Sequence, residues 1–381
     1  MFKELQLKGK YSELADKFRE KANENMFLLA KYSDANGKDL WGCICSAMDW
    51  IDVGVQYIEN FQPPDRHGLQ SCMEIFSFVM AIDFTYEAIK SLFWVLQKNG
   101  KDSKRGHTPF HQNKGCFSAA RNRSITDDHF FKEIRSCCGA HPTNLNTFIA
   151  DNQSDERQRR YASWTFFESV SSFNIMLYPE SITGQTITVE IPYSELIEYF
   201  EQRFDYLNIL IERIDELYKA FVKEKAKEII PKSDNPLEQL DFLKVANEQR
   251  LKNEYYNEII NQLACFFNTD FEDEENSDII KNYRSSLLLG IEELYNNIQS
   301  LDYKDLIIDK FLNPQTIDAG YFRYEFAALS GRVLSGIYKP FDFKILAEPL
   351  KEVVSLHNVH TEEEFYWLIV IALNRIAENY R

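Results

Sequence analysis

The chain has 381 residues, is 44% apolar, contains only 14 glycines and 11 prolines, and carries a formal net charge of −16. That length suits two domains or one large helical body, and scarce Gly and Pro favour long helices over a turn-rich β fold. The acidic balance argues against a general nucleic-acid coat protein, and no apolar run approaches the roughly 20 residues that span a bilayer.

Residues Met1 to Lys10 are polar and lack the apolar centre of a signal segment. Seven cysteines are present, an odd number, and Cys137 and Cys138 are chain neighbours whose mutual disulfide would be strained. This usage fits a reducing cytosol, so a soluble cytoplasmic protein with no membrane partner is expected.

Ser12 to Tyr32 reads as one amphipathic helix, broken by Asn36-Gly37. Trp41 to Phe61 is a second helix, ended by Pro63-Pro64. Leu69 to Leu96 is a third, apolar nearly all round despite Asp83 and Glu87, and is expected in the middle of a bundle. Lys98 to Arg123 is polar, basic and irregular. Thr126-Asp127-Asp128 then starts a short helix running to about Cys138, punctuated by Gly139 and Pro142.

Tyr161–Phe167, Phe173–Tyr178 and Thr186–Ile191 are rich in β-branched and aromatic residues and predict two or three short strands. From Tyr193 to Phe221 apolar residues recur at alternating spacings of four and three, a stripe that suits bundle packing or a dimer interface. Pro231 to Pro236 is the expected domain boundary, giving residues 1–230 with a β insertion at about 161–191, and a helical domain at 231–381. Within that second domain Leu237–Phe267 and Ile279–Ile298 read as helices, with shorter ones up to Glu378. The acidic run from Asp270 to Glu275 reads as a solvated connection. The expected fold class is therefore mainly α, a helical bundle with a small β element followed by a C-terminal helical domain.

Charge is not uniform along the chain. From Lys98 to Arg160 twelve basic residues face seven acidic ones, a local +5 on a protein that is −21 elsewhere. Such an island suits a polyanion, because phosphates are neutralised locally. No phosphate-binding glycine loop, dinucleotide fingerprint, nucleophile elbow, H-E-x-x-H or C-x-x-C pattern occurs. His107, His111 and Cys116 fit no common zinc spacing and lie in a basic loop, so no metal and no cofactor is expected. Asp83 and Glu87 share a helix face, where carboxylates usually pair with Lys or Arg of a neighbouring helix.

Within the basic island, Phe130 to Pro142 reads FFKEIRSCCGAHP. Arg135 and His141 stand at the end of the short helix, six residues apart. A His near neutral pKa can take the proton of a ribose 2′-hydroxyl or supply one to the leaving oxygen. An Arg can hold the phosphate and stabilise the charge that builds on it. Read structurally, Arg135 would instead pair with Glu133, Asp128 or another carboxylate, and His141 would cap the helix C-terminus.

An Arg, four to six intervening residues and a His, on a late helix of a four- to five-helix bundle, resembles the HEPN superfamily. Here the match runs from Arg135 through Ser136, Cys137, Cys138, Gly139 and Ala140 to His141. The bundle would cover about Trp41 to Ala220, roughly half of the chain. The resemblance implies a metal-independent endoribonuclease, often of toxin–antitoxin, abortive-infection or other antiviral systems, with a homodimer whose protomers share one cleft. It implies that Arg135 stabilises the phosphate, that His141 acts as acid/base or positions the nucleophile, and that Ser136 contacts substrate or orients the Arg. Arg121, Arg123 and Lys132 are the further candidate RNA contacts, and an antitoxin or regulatory protein is a candidate partner. Gly139 and Pro142 depart from a continuous helix at the motif. The competing class is a non-catalytic helical interaction or scaffold protein, suited by the Tyr193–Phe221 stripe and the acidic C-terminal half. A nucleotide-transferring helical protein would need an Asp-rich metal motif that is missing.

Overall fold

The computed structural model describes residues 9–64, 68–100, 109–110, 112–120, 125–140, 142–143, 145–147, 158–163, 166–169, 171–271, 274–317, 321–357 and 359–379. The fold is mainly helical with one small antiparallel sheet, as the sequence predicts. It divides into two compact units between Tyr218 and Lys219.

In the first unit, the expected helix Ser12–Tyr32 is two helices, α1 (Ser12–Asn23) and α2 (Phe27–Tyr32). Asn25 and Met26 between them take positive φ of 52° and 58°, so the chain turns and buries Phe27 and Leu28. A helix α3 (Leu40–Asn60) and a helix α4 (Leu69–Lys98) form the central hairpin. They approach closely at Gly54, where an added Cβ would lie 1.8 Å from Thr85 Oγ1 and 3.2 Å from the Ala81 carbonyl oxygen. Glu59 of α3 accepts from the backbone N–H groups of Tyr11 (2.6 Å) and Ser12 (2.9 Å) and from Ser12 Oγ (2.7 Å), tying the start of α1 to the end of α3. α4 buries Ile75, Phe78, Val79, Ile82, Leu92 and Val95, but it is not enclosed on every side: Leu69, Met73 and Met80 stay exposed.

The sheet consists of β1 (Leu145–Thr147), β2 (Gln158–Ala162), β3 (Phe166–Ser169), β4 (Ser172–Pro179) and β5 (Ile187–Pro192), all pairings antiparallel. β4 is the hub. β5 covers one edge, and the other is shared, β3 beside its start and β2 beside its end. The expected strand Tyr161–Phe167 is thus interrupted after Ala162 and resumes at Phe166. β1, too short to show a periodicity, extends the sheet beyond β2. Phe173, Ile175 and Leu177 of β4 and Val189 and Ile191 of β5 form its buried face.

The Tyr193–Phe221 stripe is carried by α6 (Tyr193–Phe204) and α7 (Tyr206–Lys225), separated at Asp205. Of the stripe, Tyr193, Ile197, Phe200, Phe204, Leu207, Ile211 and Ile214 are buried, so most of it packs intramolecularly, while Tyr218 and Phe221 stay partly exposed.

The second unit contains α8 (Pro236–Gln249), α9 (Glu254–Asn268), α10 (Ser277–Ser300), α11 (Asp309–Leu312), α12 (Phe322–Ser335), α13 (Phe343–Ala347) and α14 (Glu362–Asn379). The expected helix Leu237–Phe267 is broken, because Arg250 leaves helical geometry, Lys252 takes a φ of 50° and Asn253 caps α9. The core centres on α14, where Phe365 to Leu373 are all buried. The expected boundary segment belongs to this unit's packing. Ile230 N donates to Gln299 Oε1 (2.8 Å), Tyr295 OH to the Ile230 carbonyl (3.3 Å) and Gln239 Nε2 to the Pro231 carbonyl (3.3 Å). The division therefore falls upstream, inside α7.

No helix among the described residues is long and apolar enough to cross a membrane.

Candidate active site

A helix α5 (Asp127–Arg135) carries the candidate Arg. Its start is closely specified. Thr126 accepts from His129 N (3.3 Å), and the acidic residues of the first turn suit the positive end of the helix dipole. Asp127 is buried and accepts from the backbone N–H groups of Gly115 (3.1 Å) and Cys116 (3.4 Å), which stitches the end of the basic loop to the helix. Phe130, Phe131 and Ile134 anchor the inner face.

After Arg135 the helix widens into a π-helical turn, Ser136–Ala140, which is the connection leading to residue 141. Such single turns occur often at functional sites. Cys137 and Cys138 point into the core from this turn. Burial pushes the Cys137 thiol up to about 12 and the Cys138 thiol well above its ordinary value, so both are packing groups rather than reactive thiolates.

Arg135 does not pair with Glu133 or Asp128. Its Nη1 donates to both carboxylate oxygens of Asp83 on α4, at 3.1 and 2.9 Å. Asp83 is largely shielded, and Arg135 keeps about a quarter of its side chain open (26%). Burial raises the Asp83 carboxyl above the usual carboxylate range, outweighing the Arg135 hydrogen bond and charge that lower it. Arg135 Nε is buried and has no hydrogen-bond partner among the described residues. Asp83 thus holds the guanidinium through Nη1 alone. Lys132, one turn earlier on α5, is exposed. Ser136 turns its hydroxyl back to the Lys132 carbonyl (2.9 Å), so the helix itself engages that donor. His141, Arg121 and Arg123 lie outside the described residues, as do His107 and His111 of the zinc reading. Cys116, its third member, is a buried thiol pushed up to about 12 by burial and by Asp127. No group of three or more His, Cys, Asp or Glu able to hold a metal ion occurs among the described residues.

A second charged centre, which sequence reasoning missed, fixes the other end of α5. Asp128 Oδ1 accepts from Arg203 Nε (3.0 Å) and Nη2 (2.8 Å) and from Tyr199 OH (3.1 Å), while Oδ2 accepts from Tyr86 OH (2.8 Å). The Arg203 guanidinium is fully buried and lies 3.7 Å over the Tyr199 ring, with the Tyr86 and Phe110 rings at 5.5 and 5.3 Å. Burial drives the Tyr199 hydroxyl well above its ordinary value, so it stays a donor. The sequence did carry a signal. Arg203 lies four residues from Tyr199 and from Leu207, on the buried stripe, where a charge demands a partner.

Asp128, Lys132, Arg135 and Ser136 follow one another at helical spacing along α5, against Asp83 and Tyr86 of α4. The arrangement can present a guanidinium and an ammonium to a phosphate from a helix locked at both ends. Comparison of the chain with protein-family models, with curated proteins and with solved structures finds no match.

Proposed function

We propose that the chain is a metal-independent endoribonuclease of the HEPN type, serving in antiviral defence or as a toxin. The observation that carries this reading is the presentation of Arg135. It stands at the last residue of a short, doubly anchored helix, immediately before the π-helical turn that precedes His141 in the chain, and about a quarter of its side chain remains open. In this reading an RNA phosphate engages the donors of Arg135 that Asp83 does not hold, with Lys132, Arg121, Arg123 and Ser136 along the substrate path. The ribose 2′-oxygen attacks its own phosphodiester as the bond from phosphorus to the 5′-oxygen of the next nucleotide breaks, His141 takes the 2′-hydroxyl proton or supplies the one that the leaving 5′-oxygen gains, and Arg135 stabilises the charge that accumulates on the phosphoryl oxygens. The expected partners are RNA, a second copy of the chain, and an antitoxin or other regulatory protein.

The test is cleavage of mixed structured and single-stranded RNA by purified protein in excess EDTA. Wild type is expected to leave 2′,3′-cyclic phosphate ends, and Arg135→Ala and His141→Ala to lose at least about a hundredfold in rate while melting as folded proteins. Full activity in either folded variant overturns the assignment.

The interaction-protein reading loses most of one support, since the Tyr193–Phe221 stripe is buried from Tyr193 to Ile214. It gains another from the exposed apolar side chains of the α3–α4 hairpin.

A further inference from the structure

The most exposed aromatic rings among the described residues gather in one stretch of the second unit: Tyr338 (80%), Tyr321 (75%) and Tyr324 (66%). Tyr338 is held in place rather than left loose. α12 ends at Gly336, whose φ of 65° makes a left-handed cap, with Gly336 N donating to the Arg332 carbonyl (3.1 Å) and Ile337 N to the Gly331 carbonyl (2.9 Å). Arg332 Nη1 donates to the Lys339 carbonyl (3.3 Å), and its Nε to Glu362 Oε2 of α14 (2.9 Å). The same guanidinium lies 4.2 Å from the centre of the Tyr338 ring. One face of the ring therefore rests on a fixed cation, and its exposure belongs to the other face and the edges. The chain then returns along α12, where Asp342 N donates to Glu325 Oε2 (2.7 Å), seven residues before Arg332. Tyr324 precedes Glu325, so Tyr338 and Tyr324 mark the two ends of one strip, roughly 10 Å long by helical rise.

We infer that this strip is a stacking platform for single-stranded RNA, in which a base lies on the open face of Tyr338, Lys339 and Lys344 meet phosphates, and Tyr324 receives a second base further along the strand. Charge supports it. From Tyr321 to Lys344 four basic residues face two acidic ones, a local +2 on a chain that is −18 elsewhere. Both acids are engaged by backbone donors, Glu325 by Asp342 N and Asp342 by Lys344 N (2.9 Å). Lys339 and Lys344 are exposed and make no ion pair among the described residues. The pairing of groups selects the occupant. A single strand repeats a flat base and an anionic phosphate at every residue, and exposed rings interleaved with unpaired cations answer both. A duplex hides its base faces and offers phosphate alone. An acidic protein segment would satisfy the lysines and leave the ring's open face in water. The platform shares no residue with the Arg135 site. The choice of RNA over DNA rests on the nuclease reading, and the stacking site itself does not.

The experiment is fluorescence anisotropy of the full chain with a labelled 2′-O-methyl RNA of about 12 nucleotides, which lacks the attacking hydroxyl and so reads binding without cleavage. An abasic strand of the same length and charge is run beside it. Wild type is expected to bind the base-bearing strand at least about tenfold more tightly than the abasic one. Tyr338→Ala, at an exposed position, should melt as wild type and lose that preference, and Tyr338→Phe, which keeps the ring, should retain it. Irradiation of a strand carrying 5-iodouridine should join it to the peptide that contains Tyr338. A wild type that ignores the bases, a folded Tyr338→Ala that binds as wild type does, or crosslinks confined to the first unit each overturn the inference. A wild type that cleaves nothing and yet binds in the expected pattern supports the platform while removing the nuclease reading.

Discussion

At the residue scale, three carboxylates with different surroundings make separable predictions. Asp83 has its folded pKa raised, so the folded state holds its proton more tightly than the unfolded state. Its contribution is fully present below the unfolded value, about 3.9, and is lost as pH rises through the folded value. Removing the counter-charge sharpens this. Arg135→Ala should cost about 1–2 kcal/mol at pH 7, where the buried carboxyl must ionise without a counter-charge or keep a proton that the unfolded state has released, and clearly less at pH 4. Urea titrations at the two pH values read the difference. Glu59 behaves in the opposite sense. Burial pushes its pKa up, but the hydrogen bonds from Ser12 and Tyr11 outweigh burial and the net direction is down. Its stabilisation is present above the ordinary carboxylate value and fades as pH falls through the folded one. Glu59→Gln should therefore cost about 1–2 kcal/mol at neutral pH, with the gap closing as pH falls below the ordinary carboxylate range. Asp128 belongs to a network. Arg203→Met should destabilise by about 3 kcal/mol, because the carboxylate then keeps only its two tyrosine hydroxyls. Adding Asp128→Asn should recover part of that loss in a double-mutant cycle, since the orphaned charge goes with it.

At the element scale, the hairpin and α5 carry the constraint. Gly54→Ala replaces a poor helix former with the best one, which alone would add about 1 kcal/mol. The Cβ cannot be accommodated against Thr85, Phe84 and the Ala81 carbonyl, so the net effect should be a loss of about 1–3 kcal/mol by thermal or urea denaturation. Thr85→Ala in the same chain should restore only a fraction, because the Phe84 ring and the Ala81 carbonyl remain in place. Much at this scale was legible in advance. The spans of α3 and α4 follow from apolar periodicity and from the Pro63-Pro64 stop. The start of α5 follows from Thr126 and its acidic first turn. Breaks inside apparently continuous patterns were not legible. Asn25-Met26, Asp205 and Arg250–Asn253 carry no Gly or Pro, and at the first and last of these the backbone leaves helical geometry through non-glycine residues at positive φ, Asn25, Met26 and Lys252. Nor does periodicity reveal the π-helical turn after Arg135, since widening one turn leaves the local apolar pattern nearly unchanged.

At the scale of the whole molecule, a chain of −16 can bind a polyanion only through a local positive surface. If Arg135, Lys132, Arg121 and Arg123 supply the phosphate contacts of the proposed activity, single-stranded RNA affinity should fall with salt at a log–log slope of about −3. Arg135→Ala should flatten that slope by about 0.7, as one phosphate contact is lost. Fluorescence anisotropy of a labelled oligonucleotide across 50–300 mM salt measures both, and an affinity indifferent to salt would assign any binding to contacts other than these four.

The sequence by itself determined the mainly helical class, the small β element within about residues 161–191, the basic island in an acidic chain and the presence of Arg135 and His141 in one short segment. All of these rest on composition and on spacing within a few turns, which local sterics and burial translate directly into structure. Only the tertiary structure decided that Arg135 meets Asp83, 52 residues away, and that Arg203 closes on Asp128 inside an aromatic cage. It alone decided that the stripe on α6 and α7 is buried while the outer face of α3 and α4 stays open. The physical reason is common to all three. Which charge finds a partner, and which apolar face is covered, depends on the elements brought alongside, and helical periodicity states that a face exists without stating what it meets.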